Sequence, residues 1–115
     1  MTESHAEDSK LVTLARAARA RVGAAEGAAV RDLDGRTYAA VSVSLPSVSL
    51  SALEAAVVAA VSSGASELEA AAVVTSSVDG EPAGLAALRD LGGPDTFVLV
   101  TGLDGIVRRQ LRVIL

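Results

Sequence analysis

The sequence predicts an α/β fold, a mixed sheet covered by helices, and three observations carry that prediction. Ser49 to Gly64 (SLSALEAAVVAAVSSG) reads as a helix with almost no polar face, the pattern of a central, buried helix. Ala70 to Ser76 and Thr96 to Thr101 are short apolar runs, which suit fully buried strands. Asp34-Gly35 stands between two apolar stretches, a hairpin signal. In chain order the elements run α-β-β-α-β-α-β-β, and such alternation indicates a layered α/β sandwich.

Residues 1–7 are polar, charged and terminal, and are expected to be a disordered tail. From Asp8 to Val22 the residues Leu11, Leu14, Ala15, Ala18 and Val22 form one helical stripe. Asp8 or Ser9 can cap this helix and Gly23 can end it, while Arg16, Arg19 and Arg21 form its solvated face. Gly27 to Val30 is the first hairpin arm, Arg31 to Arg36 the charged turn, and Thr37 to Leu45 the second arm. That arm alternates Val41 and Val43 with Ser42 and Ser44, and Pro46 ends it. In the central helix Leu50, Leu53, Ala56, Val57, Ala60 and Val61 make the apolar stripe, and Gly64 is the stop. Ser51-x-x-Glu54 is a capping-box pattern, in which serine and glutamate satisfy each other's backbone N–H. Pro82 opens a shorter helix carrying Leu85, Leu88 and Leu91, and Gly92-Gly93-Pro94 stops it. Ile106 to Leu115 reads as an edge strand first and a final short helix second.

Composition narrows the functional classes. At 115 residues the chain makes a single domain, 1–115. Half of it is hydrophobic but only 2% is aromatic, so the core must be built from Ala, Val and Leu. A mean hydropathy of +0.45 therefore suggests apolar surface hidden against other subunits. The longest uncharged run, Thr37 to Leu53, holds a proline and many serines and is a poor membrane span. A net charge of −4 with no basic tract argues against nucleic acid or an anionic membrane as partner. The polar N-terminus and the lack of cysteine make the cytoplasm the expected compartment.

Several short pieces, in order and spacing, resemble the cytidine deaminase family. Gly27-Ala28-Ala29-Val30 followed by Asp34-Gly35-Arg36 and Tyr38 is similar to the family's first hairpin. Leu50-Ser51 resembles its Leu-Thr lead-in, Ala60-Val61-Ser62-Ser63-Gly64 its Ala-Val-x-x-Gly helix end, and Ala72-Val73-Val74 its third strand. Pro82-x-Gly84 resembles the start of its second zinc helix. The likeness spans roughly residues 10 to 112 and implies a three-layer α-β-α sandwich around a mixed five-stranded sheet. It also implies a homodimer or homotetramer.

The family's chemistry needs three metal ligands, an open coordination position that lowers the pKa of bound water, and a carboxylate to shuttle protons. On this chain the resemblance puts the first ligand at Leu53, the paired cysteines at Ala83 and Ala86, and the catalytic glutamate at Ala55. The arginine that commonly follows falls on Ala87, and the Asn-x-Glu that holds the ribose falls on Ser42-Val43-Ser44. Every metal-binding and proton-transfer position is apolar. The expectation is therefore no catalytic residue, no metal and no cofactor.

Other residues offer no replacement. Glu54 is one place from the lost glutamate, about 100° around the helix, and belongs to the capping box. His5, the sole histidine, lies in the tail. Glu67/Glu69 and Asp79/Glu81 read as solvated loop charges. The first functional reading is an inactive member of the deaminase superfamily, kept as an oligomeric binding or scaffolding protein that also meets another protein. The alternative is a module that binds a nucleoside or small molecule without reacting it, with Ser42, Ser44 and Glu54 as the remnant pocket. An active cytidine deaminase, hydrolysing cytidine to uridine, is the third.

Overall fold

The computed structural model describes residues 3–114. Helix α1 (Glu3–Val22) leads into strands β1 (Gly27–Asp32) and β2 (Thr37–Val41). A short ribbon follows, β3 (Val43–Ser44) with β4 (Ser49–Leu50), and then helix α2 (Ala52–Ser62). Strand β5 (Leu68–Val74), helix α3 (Leu85–Leu91) and strands β6 (Gly92–Thr101) and β7 (Val107–Arg112) complete the chain. The main sheet has five strands in the order β2-β1-β5-β6-β7, with β5 and β6 parallel and every other pair antiparallel. The expected mixed five-stranded sheet is present.

Strand alternation builds the three layers. Ala28 and Val30 of β1 and Ala71 and Val73 of β5 share a buried cluster with α2 and α3. Ala29 of β1 and Ala70, Ala72 and Val74 of β5 meet Leu11, Val12 and Ala15 of α1 on the other face. Alanine on both faces lets the helices lie close. The extreme case is Gly27, where a Cβ would collide with the Ala15 carbonyl of α1.

Five details depart from the sequence reading. The first helix begins at Glu3, so residues 3–7 are helical where a tail was expected; residues 1 and 2 lie outside the described residues. Asp8, a candidate cap by sequence, sits inside the helix, and its Oδ1 accepts from the Arg31 Nη2. The second hairpin arm breaks at Ser42, whose N–H donates to the Glu26 carbonyl while Val43 and Ser44 turn away to pair with β4. Gly92-Gly93-Pro94 lies within β6 rather than between elements. Residues 93–96 bulge out between the Leu68↔Gly92 and Ala70↔Phe97 pairs, and a bulge tolerates the N–H that Pro94 lacks. Val22 and Val61, placed on apolar stripes, are exposed. The buried arc of α2 is Ala52, Leu53, Ala56, Val57 and Ala60, and Val61 falls a further 100° around the axis. The last segment is a strand, and the sheet gives it a place at the edge.

Candidate functional site

The capping box is formed as its spacing predicts. Ser51 Oγ accepts from the Glu54 N–H at 3.1 Å, and the Ser51 N–H donates to Glu54 Oε1 at 2.8 Å. The Ser51 hydroxyl also donates to the Ala83 carbonyl at 2.8 Å, which ties the start of α2 to the segment leading into α3. Gly84 makes this approach possible. Its φ of +102° is a conformation that favours glycine, and a Cβ there would stand 2.8 Å from Ser51 Oγ and 2.9 Å from Glu54 N. The structure thus brings together the two helix starts that the family resemblance singles out.

The side chains at these starts are aliphatic. Leu53 is 1% exposed and belongs to the main core; Ala55 is half-buried; Ala83 and Ala86 are exposed. Ala87, at the arginine position, packs against the core. A zinc site needs thiolate, imidazole or carboxylate donors. The residues at the matching positions supply methyl and isobutyl groups and do not fit the metal. Among the described residues, no group of three or more His, Cys, Asp or Glu side chains is placed to hold a metal ion.

The three residues of the expected remnant pocket, Ser42, Ser44 and Glu54, have different local roles. Glu54 is engaged in the cap, and Ser44 is exposed in the ribbon opposite Ser49. Among the described residues no hydrogen bond joins either serine side chain to Glu54.

Polar chemistry gathers instead at the opposite end of the sheet, where β1 ends and β5 and β6 begin. Arg31, read from sequence as part of a solvated turn, is 6% exposed. Its Nε donates to Glu69 and its Nη2 to Asp8 at 3.2 Å, so strands β1 and β5 and helix α1 meet in one ionic network. Glu69 is therefore not merely a solvated loop charge. Burial alone would lower the Arg31 pKa, but hydrogen bonds and the fields of Glu69 and Asp8 outweigh it and raise the pKa. Next to it, Asp32 holds the hairpin turn. Its Oδ1 accepts from the N–H groups of Asp34 and Arg36, and its Oδ2 from the Tyr38 hydroxyl at 2.9 Å. Burial opposes its ionisation, yet these donors and the Arg36 charge keep its carboxyl below the usual carboxylate range. The same bond from Tyr38, with burial second, raises the tyrosine pKa. A cleft of about 410 Å³ lies here, lined by Arg31, Leu33, Glu67, Glu69, Asp95 and Phe97 among others. A signal for Arg31 existed in its position two residues after Ala29 on the face toward α1, but its partners are 23 and 38 residues away.

Residues 4–105 match a family described as cytidine deaminase-like. Among solved structures, the cytidine deaminase of Burkholderia pseudomallei is 25% identical with a TM-score of 0.74, over 98% of this chain and 94% of that one. A mutant cytidine deaminase from Mycobacterium tuberculosis is 27% identical with a TM-score of 0.69, over 90% and 88%. The cytidine deaminase of Mycobacterium leprae is 25% identical with a TM-score of 0.65, over 79% and 85%. No curated protein matches the chain significantly. No helix among the described residues is long and apolar enough to cross a membrane. The family match over most of the chain agrees with the hairpin, the capped central helix and the two joined helix starts: the chain belongs to the cytidine deaminase-like family.

Proposed function

We propose that this chain is a catalytically inactive deaminase-like protein that acts as an oligomeric binding or scaffolding protein. One observation carries the reading: Leu53, Ala55, Ala83 and Ala86 stand at the two helix starts where the family's chemistry needs ligands and a proton shuttle. Leu53 fills the core rather than facing a metal, and the polar atoms nearby are turned inward, Ser51 to Glu54 and to the Ala83 carbonyl. Aliphatic groups at these four positions, with Leu53 packed in the core, keep the fold and remove the reaction. Binding of a nucleoside without reaction has less support, because Glu54 is committed to the cap and Ser44 faces solvent. The lack of cysteine is consistent with a reducing cytoplasm.

The test is to incubate purified protein with cytidine, follow conversion to uridine by ultraviolet absorbance, and measure zinc in the same preparation. The expected result is no conversion above buffer and zinc far below one equivalent per chain. Turnover that scales with protein, or one zinc per chain, overturns the reading.

A further inference from the structure

The two edges of the main sheet are built differently. Strand β7 carries Arg108, Arg109 and Arg112 and is joined to β6 through a register shift. Charges and bulges are how proteins protect a free edge from pairing with another chain. Strand β2, TYAAV, has no charge, no proline and no bulge over its pairing with β1. Among the described residues, no hydrogen bond from a loop, helix or side chain covers its outer backbone.

The free groups on that edge can be named. Asp32 N–H donates to the Arg36 carbonyl and Ser42 N–H to the Glu26 carbonyl. In the Gly27↔Val41 register, bonded and unbonded pairs alternate, so Ala28/Ala40 and Val30/Tyr38 continue the bonded set. Thr37, Ala39 and Val41 therefore direct their N–H and C=O groups away from β1.

We propose that β2 pairs antiparallel with β2 of a second copy, across a two-fold axis at Ala39, joining the two sheets into one. The inference rests on the oligomeric part of the proposed function and names the face that carries it. Centred on Ala39, the pairing sets Ala39 opposite Ala39 and Thr37 opposite Val41, so each outward group meets an outward group. The electrostatics allow this partner at β2 and oppose it at β7, where self-pairing would set arginines against arginines. A stable interface takes about 800 Å² from each partner, more than five edge residues offer. The two-fold supplies more, because α2 packs over β2 and is set beside its own copy on the same face of the joined sheet. The exposed residues of α2 include Val58 and Val61, at 52% and 49%, and its one charged residue, Glu54, is held in the cap.

Analytical ultracentrifugation of the wild type and of Ala39→Lys, with amide hydrogen exchange on the wild type, tests this. Ala39 is exposed, so the lysine leaves the fold intact while setting like charges face to face at the axis. The expected results are a wild-type dimer, a dissociation constant raised at least about tenfold by Ala39→Lys, and slow exchange at Thr37, Ala39 and Val41 that is lost on dilution. A Gln110→Lys control on β7 leaves the dimer unchanged. A dimer that ignores Ala39→Lys and shows fast exchange at those three amides overturns this surface alone. A wild type that stays monomeric overturns both the surface and the oligomeric reading, while the cytidine assay tests the loss of activity separately.

Discussion

The two ends of the α2 helix make opposite use of their residues. At its start, where the family places a metal, Leu53 fills the core and Ser51 closes the backbone groups of two helices onto each other. Past its far end, where Glu67 leads into β5, lie Arg31, Glu69, Asp8, Asp32 and Tyr38, with three displaced pKa values. Displaced pKa values often mark active sites, but structural ion-pair networks also produce them. Here every polar partner of Arg31 and Asp32 belongs to a strand, a turn or α1, and what they do is hold those elements together. The end that the family resemblance singles out carries aliphatic side chains, as its sequence reads, and the ionisable groups serve structure at the other.

Leu53→Ala breaks the first half of that comparison most directly. If the family's ligand position is now a core position, removing three side-chain carbons at a site 1% exposed costs about 3 kcal/mol. In a domain of this size that lowers Tm by roughly 12 °C. A loss of only a degree or two means that Leu53 is not part of a tight core, and the replacement of ligand by packing fails. Glu69→Ala breaks the second half. It leaves the Arg31 Nε–H without its partner, in a guanidinium whose Nη1 already has none. Breaking a buried pair costs about 3–5 kcal/mol; the Glu69 side chain is 39% exposed, which reduces the expectation to about 2 kcal/mol. Chemical denaturation at low and high salt measures it. A neutral result at both means that the network is ornamental.

The sequence made one of these two ends legible and left the other obscure. The α2 start was readable because its signals are local: an apolar stripe, Gly64 as the stop, and serine and glutamate three apart. The aliphatic residues at the ligand positions could be read one by one once the hairpin and helix pieces fixed the spacing. What could not be read was that Ser51 reaches the Ala83 carbonyl, 32 residues away, because that contact needs the tertiary fold. The same limit hid Arg31. Within the segment Arg31 to Arg36 it looks like any turn charge, and only the β1–β5 pairing and the crossing of α1 bring Glu69 and Asp8 to it. Glycine and proline at 92–94 signalled a break correctly as a disruption, but the sheet absorbs that disruption as a bulge inside β6.

The smallest effect expected is also the one that separates a structural carboxylate from a reactive one. Asp32 has its folded pKa held below its unfolded value near 3.8, so its ionised form favours the folded state. That stabilisation is fully present above the unfolded value and is lost as pH falls through the folded value. Asp32→Asn removes the titration but keeps an oxygen to accept from the Asp34 and Arg36 N–H groups. Thermal unfolding of both proteins from neutral pH down to about pH 2.5 should show the wild type a few degrees more stable at neutral pH. The gap should begin to narrow below the unfolded value and close as pH falls through the folded one. A gap that stays constant with pH means the aspartate acts through shape alone, and the Tyr38 and backbone donors do not favour its charge. A gap that closes, with no change in any ligand response, identifies Asp32 as the charged pin of the hairpin turn, while Glu54 at the joined helix starts stays committed to its cap.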